Sequence, residues 1–129
     1  MDTKPGSRNK APEPGPRGLI VIVGVCGSGK SVLARALRER GFRAESVAQE
    51  HSLVPELFLH PNPDIVIYLE TSDDTVAERK QTAWEPHLLS QQRQRLEHAR
   101  RRADIHIVTD GLSPEELLGK AEAALSAGF

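Results

Sequence analysis

The sequence predicts an α/β fold: three layers around a small parallel sheet of about four strands. Three observations carry this. Leu19-Ile20-Val21-Ile22-Val23 and Ile65-Val66-Ile67-Tyr68-Leu69 are apolar without polar alternation, as in strands buried on both faces of a parallel sheet. Segments of helical period alternate with the strands, and that order builds parallel sheets with right-handed crossovers. The loop after the first run, Gly24-Val25-Cys26-Gly27-Ser28-Gly29-Lys30-Ser31, meets G-x-x-x-x-G-K-[ST] at every fixed position.

The elements follow in order. Residues 1–17 are rich in Pro, Gly and charge and offer nothing apolar to bury, so they read as a disordered tail before a nucleotide-binding domain over 18–129. After the first strand and its loop, a helix is expected from about 30 to 40, with Leu33, Ala36 and Leu37 inward. Gly41 suits the left-handed position that ends it. A weaker strand is expected over 42–48, and a short helix over 54–59 stopped by His60-Pro61-Asn62-Pro63. The second buried strand begins at Asp64. Thr71 or Ser72 can cap the next helix, about 73–81, whose acidic first turn suits the helix dipole. Trp84-Glu85-Pro86 interrupts the chain before a long helix over about 88–102. Residues 104–109 alternate in polarity and read as a last strand near a sheet edge. Ser113-Pro114-Glu115-Glu116 is a capping box with Pro at the first helical position, opening a helix to about 125.

Composition narrows the function classes. The chain has 129 residues and a formal net charge of -1, which gives no general pull toward nucleic acid or acidic lipid. Aromatic residues are 4% of the chain, too few for a base-stacking surface. One cysteine excludes an intramolecular disulfide and a cysteine-cluster metal site, and fits a reducing, cytoplasmic setting. No apolar run approaches the roughly 20 residues that span a bilayer.

The loop carries the chemistry. Gly24, Gly27 and Gly29 relieve the backbone of Cβ atoms, so the N–H groups of Val25, Cys26, Ser28 and their neighbours can turn inward around a phosphate. The following helix adds its dipole and its free N–H groups, up to Val32. Lys30 supplies charge for the β- and γ-phosphates, and the Ser31 hydroxyl is placed to ligate Mg²⁺. Cys26 reads first as a small residue at a variable loop position. A helix N-terminus also lowers thiol pKa, which leaves a redox switch as the alternative.

With these residues in view, the chain resembles the small P-loop kinases, the group of adenylate, thymidylate and shikimate kinases. LIVIVGVCGSGKSVLARALRERG, DIVIYLETSDDTVAERK, the basic stretch 84–102 and ADIHIVTDGLSPEELLGKAEAAL carry the likeness. The resemblance implies a P-loop NTPase fold, ATP or another NTP with Mg²⁺ as cofactors, and a small-molecule acceptor. It implies that Arg79 is a lid arginine and that the Asp110 turn flanks adenine. The sequence departs from the pattern in one place. These kinases carry a further strand ending in an acid that orients Mg²⁺, and then an acceptor-binding segment. Here only residues 45–63 stand between the second strand and DIVIYL. Gln49-Glu50-His51-Ser52 is the candidate replacement. Glu50 would orient Mg²⁺ or act as a base, and His51 would be a base or bond the γ-phosphate. Glu70 is the rival acid, and a solvated polar turn is the alternative for Glu50 and His51.

In the long helix, Leu89, Leu96, Ala99 and Ala103 form one apolar stripe. Arg93 and Arg100 fall beside it, where they can lean over transferred phosphoryl charge. Arg95, Arg101 and Arg102 are expected to face water. Trp84 would stack on a ligand or pack a loop. Two functions fit: an ATP-dependent phosphotransferase on a small molecule, or a nucleotide-binding regulatory switch with weak NTPase activity.

Overall fold

The computed structural model describes residues 18–80 and 86–128. The proposed tail and Trp84 lie outside the described residues. The expected α/β fold is found, with four parallel strands in the order β2-β1-β3-β4. These are β1 (Leu19–Gly24), β2 (Arg43–Ser46), β3 (Ile65–Glu70) and β4 (Ile105–Val108). The helices are α1 (Lys30–Glu39), α2 (Asp73–Lys80), α3 (Pro86–Arg102) and α4 (Pro114–Ser126).

The register explains the two apolar runs. Ile20 pairs with Ile65 and Gly24 with Leu69, so the two strongest strands lie side by side at the centre. One sheet face packs Ile20, Ile22, Ile67 and Leu69 against Leu33 and Leu37 of α1 and Leu117 and Leu125 of α4. The opposite face packs Val21, Val23, Val66 and Tyr68 against Val76 of α2 and Leu89, Leu96 and Ala99 of α3. Both edge strands alternate. In β4, Ile105 and Ile107 are buried while His106 and Val108 are exposed. In β2 only Ala44 is fully buried.

Local signals place the helix ends. Gly41 has φ 93°, and the N–H groups of Gly41 and Phe42 donate to Arg38 and Leu37 carbonyls, which closes α1. The Ser113 hydroxyl accepts from Glu116 N–H while the Glu116 carboxylate accepts from Ser113 N–H. Ser72, not Thr71, caps α2 by accepting from Thr75 N–H at 3.2 Å. The helix expected over 54–59 is reduced to a 3₁₀ turn at Leu57–Leu59, anchored by the fully buried Phe58. The β2-to-β3 connection therefore crosses β1 with only this turn and a second one, Gln49–His51. Among the described residues, no helix is long and apolar enough to cross a membrane.

Candidate functional site

The carboxyl ends of parallel strands are where α/β folds gather ligand groups. Here β1 runs directly into the glycine loop. Gly27 and Gly29 take φ 88° and 100°, conformations that a Cβ resists. Gly24 is needed for a different reason than the expected torsion. A Cβ there would stand 2.6 Å from Ser28 Oγ and 3.0 Å from the Leu69 carbonyl oxygen, so this glycine serves close packing against β3. Ser28 N–H closes the loop on the Val25 carbonyl at 3.0 Å. Gly29 caps α1 without a side-chain bond, and no acid occupies the first turn, so the positive end of the helix faces the loop uncompensated.

The turn Gln49–His51 meets this loop. Lys30 Nζ donates to Glu50 Oε2 at 2.5 Å. The pair is deeply set, with side-chain exposures of 12% for Lys30 and 2% for Glu50. Gln49 holds the turn in place. It is buried, it donates to the Val54 carbonyl, and it accepts from Phe58 N–H. The second Glu50 oxygen, Oε1, and Ser28 Oγ are both buried and have no hydrogen-bond partner among the described residues. Such groups cost about 1–3 kcal/mol each when left unpaired, and native structures keep few of them. His51 is exposed, with Nε2 3.6 Å from Glu50 Oε2. Ser31 Oγ lies 3.4 Å from Ser46 Oγ at the end of β2. Val32 is exposed on the first turn of α1.

Arg79 braces the loop from its carbonyl side. Its guanidinium donates to the carbonyls of Gly27 and Ser28, both at 3.2 Å, and to the Thr109 carbonyl at 2.7 Å. Two of the loop N–H groups expected to face a phosphate are instead engaged within the chain, Ser28 with the Val25 carbonyl and Cys26 with Gln92 Oε1. Asp110 accepts from the Ser72 hydroxyl at 2.7 Å and from Ser72 N–H at 3.1 Å. Hydrogen bonds from Thr75 and Ser72 hold its carboxyl below the usual aspartate value. Arg79 and Asp110 thus join the ends of β3 and β4 to the loop.

The long helix behaves differently from the sequence expectation at three positions. Arg93 and Arg100 do flank the stripe, but each already meets an acid. Arg93 donates to the Thr71 carbonyl at 2.8 Å and to Asp73 at 2.5 Å. Arg100 lies 3.7 Å from Glu70, so the rival acid meets an arginine. Arg95, expected in water, instead turns toward the Glu50 turn and donates to the Glu50 carbonyl at 3.3 Å. The reason is the turn itself, which packs against α3 and gives the flank of residue 95 a neighbour.

Sequence reasoning missed Gln92. Its side chain is only 4% exposed, and its Oε1 accepts the Cys26 N–H of the glycine loop at 3.0 Å. The signal was present: residues 89, 92, 96 and 99 share one helical face, and 92 is the polar one among apolar neighbours. Among the described residues, no group of three or more His, Cys, Asp or Glu side chains could hold a metal ion.

Comparisons with known proteins agree with the loop. Residues 20–117 match the family model described as AAA domain. No curated protein matches. Among solved structures, the chain is similar to HP1043, an orphan response regulator of H. pylori, at 15% identity. That match covers 85% of this chain and 99% of the other, with a TM-score of 0.43.

Proposed function

The chain belongs to the AAA domain family of P-loop NTPases, and from that premise we propose that it is an ATP-dependent phosphotransferase acting on a small molecule. One observation carries the reading. A buried carboxylate, Glu50, lies on the phosphate-loop lysine and keeps one oxygen unpartnered among the described residues. By the resemblance to the small P-loop kinases, it would stand in for the acid that ends their further strand. An acid beside Lys30 has two uses there: it fixes the ammonium, and it receives a proton from an attacking hydroxyl.

The proposed roles follow from position. The loop N–H groups and Lys30 hold the β- and γ-phosphates. Magnesium, when bound, would neutralise phosphate charge and draw on oxygen ligands. The Ser31 hydroxyl is the protein oxygen suited to hold it, and the orphaned Glu50 Oε1 fits a group in its outer shell. Arg79 keeps the loop shaped from behind, and Arg93 and Arg100 would lean over transferred charge from beside the stripe of α3, each leaving an acid, Asp73 or Glu70. His51 can pass a proton onward from Glu50 to solvent.

A second reading rests on Gln92. Its bond to Cys26 N–H ties the long helix to the phosphate loop, as a nucleotide-responsive switch with weak NTPase activity would require. Incubation with γ-labelled ATP and a panel of metabolites separates the two. Transfer of label to an organic acceptor, lost in Glu50→Gln, supports the kinase. Label found only in inorganic phosphate, at a slow rate that Gln92→Leu changes, supports the switch. Glu50→Gln with wild-type transfer would defeat the assignment of the acid.

A further inference from the structure

Two donors of the phosphate site are already taken, each by a side chain from a distant segment. The Cys26 N–H of the glycine loop donates to Gln92 Oε1 at 3.0 Å, and Lys30 Nζ donates to Glu50 Oε2 at 2.5 Å. Arg95 joins the two acceptors. It stands three residues after Gln92 on α3 and donates to the Glu50 carbonyl at 3.3 Å. Resting on the loop's affinity for polyphosphate and deepening the switch reading above, we propose that these contacts form a latch: without ligand, Gln92 and the Glu50 turn, joined through Arg95, hold the phosphate loop closed, and a polyphosphate opens it by taking both donors. No phosphoryl transfer is needed for this.

The acceptors have the chemistry of what they would give way to. A carboxylate oxygen and a carboxamide oxygen accept hydrogen bonds as a phosphate oxygen does. The Cys26 N–H has one hydrogen, so it serves Gln92 or a phosphate and not both. Lys30 has more hydrogens, but the Glu50 carboxylate lies on its charge, with 2% exposure of the glutamate side chain. A phosphate arriving at the same ammonium carries the same sign as that carboxylate. The two therefore compete for Lys30, and in so dry a place the competition is strong.

The closed state is loosely held. Glu50 Oε1 and Ser28 Oγ are buried without a partner among the described residues, and the Arg95 bond is long for a guanidinium donor. Unmet polar groups penalise the closed state and make it easier to leave. Once a phosphate has the Cys26 N–H, Gln92 cannot stay as it is. It is 4% exposed on the face of α3 that carries Leu89, Leu96 and Ala99, and a carboxamide oxygen left there without a donor is costly. Movement of α3 relieves it. That movement reaches the Glu50 turn, which packs against α3 and is held as a unit by Gln49 through Val54 and Phe58.

Linkage makes the device work in both directions. Occupancy of the loop sets the position of α3, and whatever holds α3 sets the affinity of the loop. Arg95 gives the clearest sign. An arginine beside an anion site ordinarily helps the anion to bind. In the latch it opposes binding, because its contact with the Glu50 carbonyl stabilises the closed state.

Inorganic tripolyphosphate with Mg²⁺, titrated into the full chain by calorimetry, reads the phosphate site without a base. Gln92→Leu should tighten its binding several-fold. Arg95→Gln should tighten it about threefold although a positive charge is lost. Arg95→Lys keeps the charge and a donor and should fall between Arg95→Gln and the wild type. Gln92→Met, unbranched and of similar length, repeats the first test should leucine crowd the core, and urea melts show that each variant is folded. By NMR, the wild-type amides of Glu50, Gln92 and Arg95 should shift with the same midpoint as those of Cys26 and Lys30. Unchanged or weaker binding in Arg95→Gln, unchanged or weaker binding in both Gln92 variants, or shifts confined to the loop would overturn the latch. No binding by the wild type or any variant would overturn it together with the phosphate site. Tighter binding in the variants without any hydrolysis of ATP would leave the latch standing and remove the switch reading with its weak NTPase activity. Hydrolysis altered by Gln92→Leu, with every affinity unchanged, would do the reverse.

Discussion

The two ends of the sheet treat their acids in opposite ways. At the amino-terminal end, Asp64 and Asp104 each precede a strand and close the first rung of its neighbour. Asp64 Oδ2 accepts from Leu19 N–H and Asp104 Oδ2 from Val66 N–H, both at 2.8 Å. Their own N–H groups donate to the Leu19 and Val66 carbonyls, both at 2.9 Å. Gly18 is small because a Cβ there would overlap the Asp64 carboxylate. At the carboxyl end, Glu50 Oε1 and Ser28 Oγ are buried without a partner among the described residues. The Cys26 N–H and the Lys30 ammonium are held by side chains from distant segments, Gln92 and Glu50. One end completes its polar groups with the chain's own backbone. The other leaves them to be completed or rearranged by a ligand, and polar groups are kept that way where they serve binding.

If this contrast is real, substitutions at the two ends must separate stability from binding. The largest effect is expected at Lys30. Lys30→Met leaves Glu50 buried without its cation and should lower stability by about 3 kcal/mol and abolish measurable ATP binding. Adding Glu50→Gln should restore most of the stability in urea melts and none of the affinity in calorimetry. Recovery of both would mean that the pair is only a structural ion pair.

At the opposite end, Asp64→Ala should remove about 1–3 kcal/mol of stability, because it strands the Leu19 N–H, and leave ATP affinity within twofold. A loss of affinity larger than the loss of stability explains would show that the two ends are coupled.

Tyr68 sharpens the comparison from the core between them. Burial, with a smaller contribution from Glu70, pushes its phenol up to about 12 from the ordinary 10. Above pH 10 the unfolded chain releases this proton while the folded chain keeps it. The stabilisation is therefore whole below pH 10 and is lost as pH rises toward 12, at about 1.4 kcal/mol per pH unit. Tyr68→Phe should flatten that part of the stability curve, measured by urea melts from pH 9 to pH 12. An unchanged slope would place the alkaline loss elsewhere.

The smallest effect is expected at Gln92. Gln92→Leu removes the acceptor of Cys26 N–H and should lower ligand-free stability by about 1 kcal/mol. Since the same N–H is then available to phosphate, ATP affinity should rise several-fold. A fall in affinity would show that Gln92 shapes the loop for the nucleotide instead of competing with it.

Much of the fold was legible because the signals were local. Ser113 and Glu116 cap α4 as their spacing predicts, Gly41 ends α1, and the Leu89, Leu96 and Ala99 stripe faces the core. The glycine loop was legible for the same reason: torsions at Gly27 and Gly29 are decided within a few residues. Gly24 shows where this stops. Its role depends on Leu69 across the sheet, which no spacing reveals. Arg95 shows it again. Helical angle alone placed it in water, but the facing surface of α3 is set by a turn far away in sequence.

The sequence by itself determined the four strands, the order of elements and the phosphate loop, because apolar periodicity and backbone torsion are properties of neighbouring residues. It put Glu50 and His51 forward as candidates but left Glu70 equal to them. Only the tertiary structure gave the two acids different neighbours, by crossing the β2-to-β3 connection over β1 and setting Glu50 against Lys30 while Glu70 met Arg100. The strand order fixed that arrangement. With β2 beside β1 and β3 on its other side, a segment leaving β2 passes over the glycine loop, and a carboxylate buried there is stable against the Lys30 ammonium.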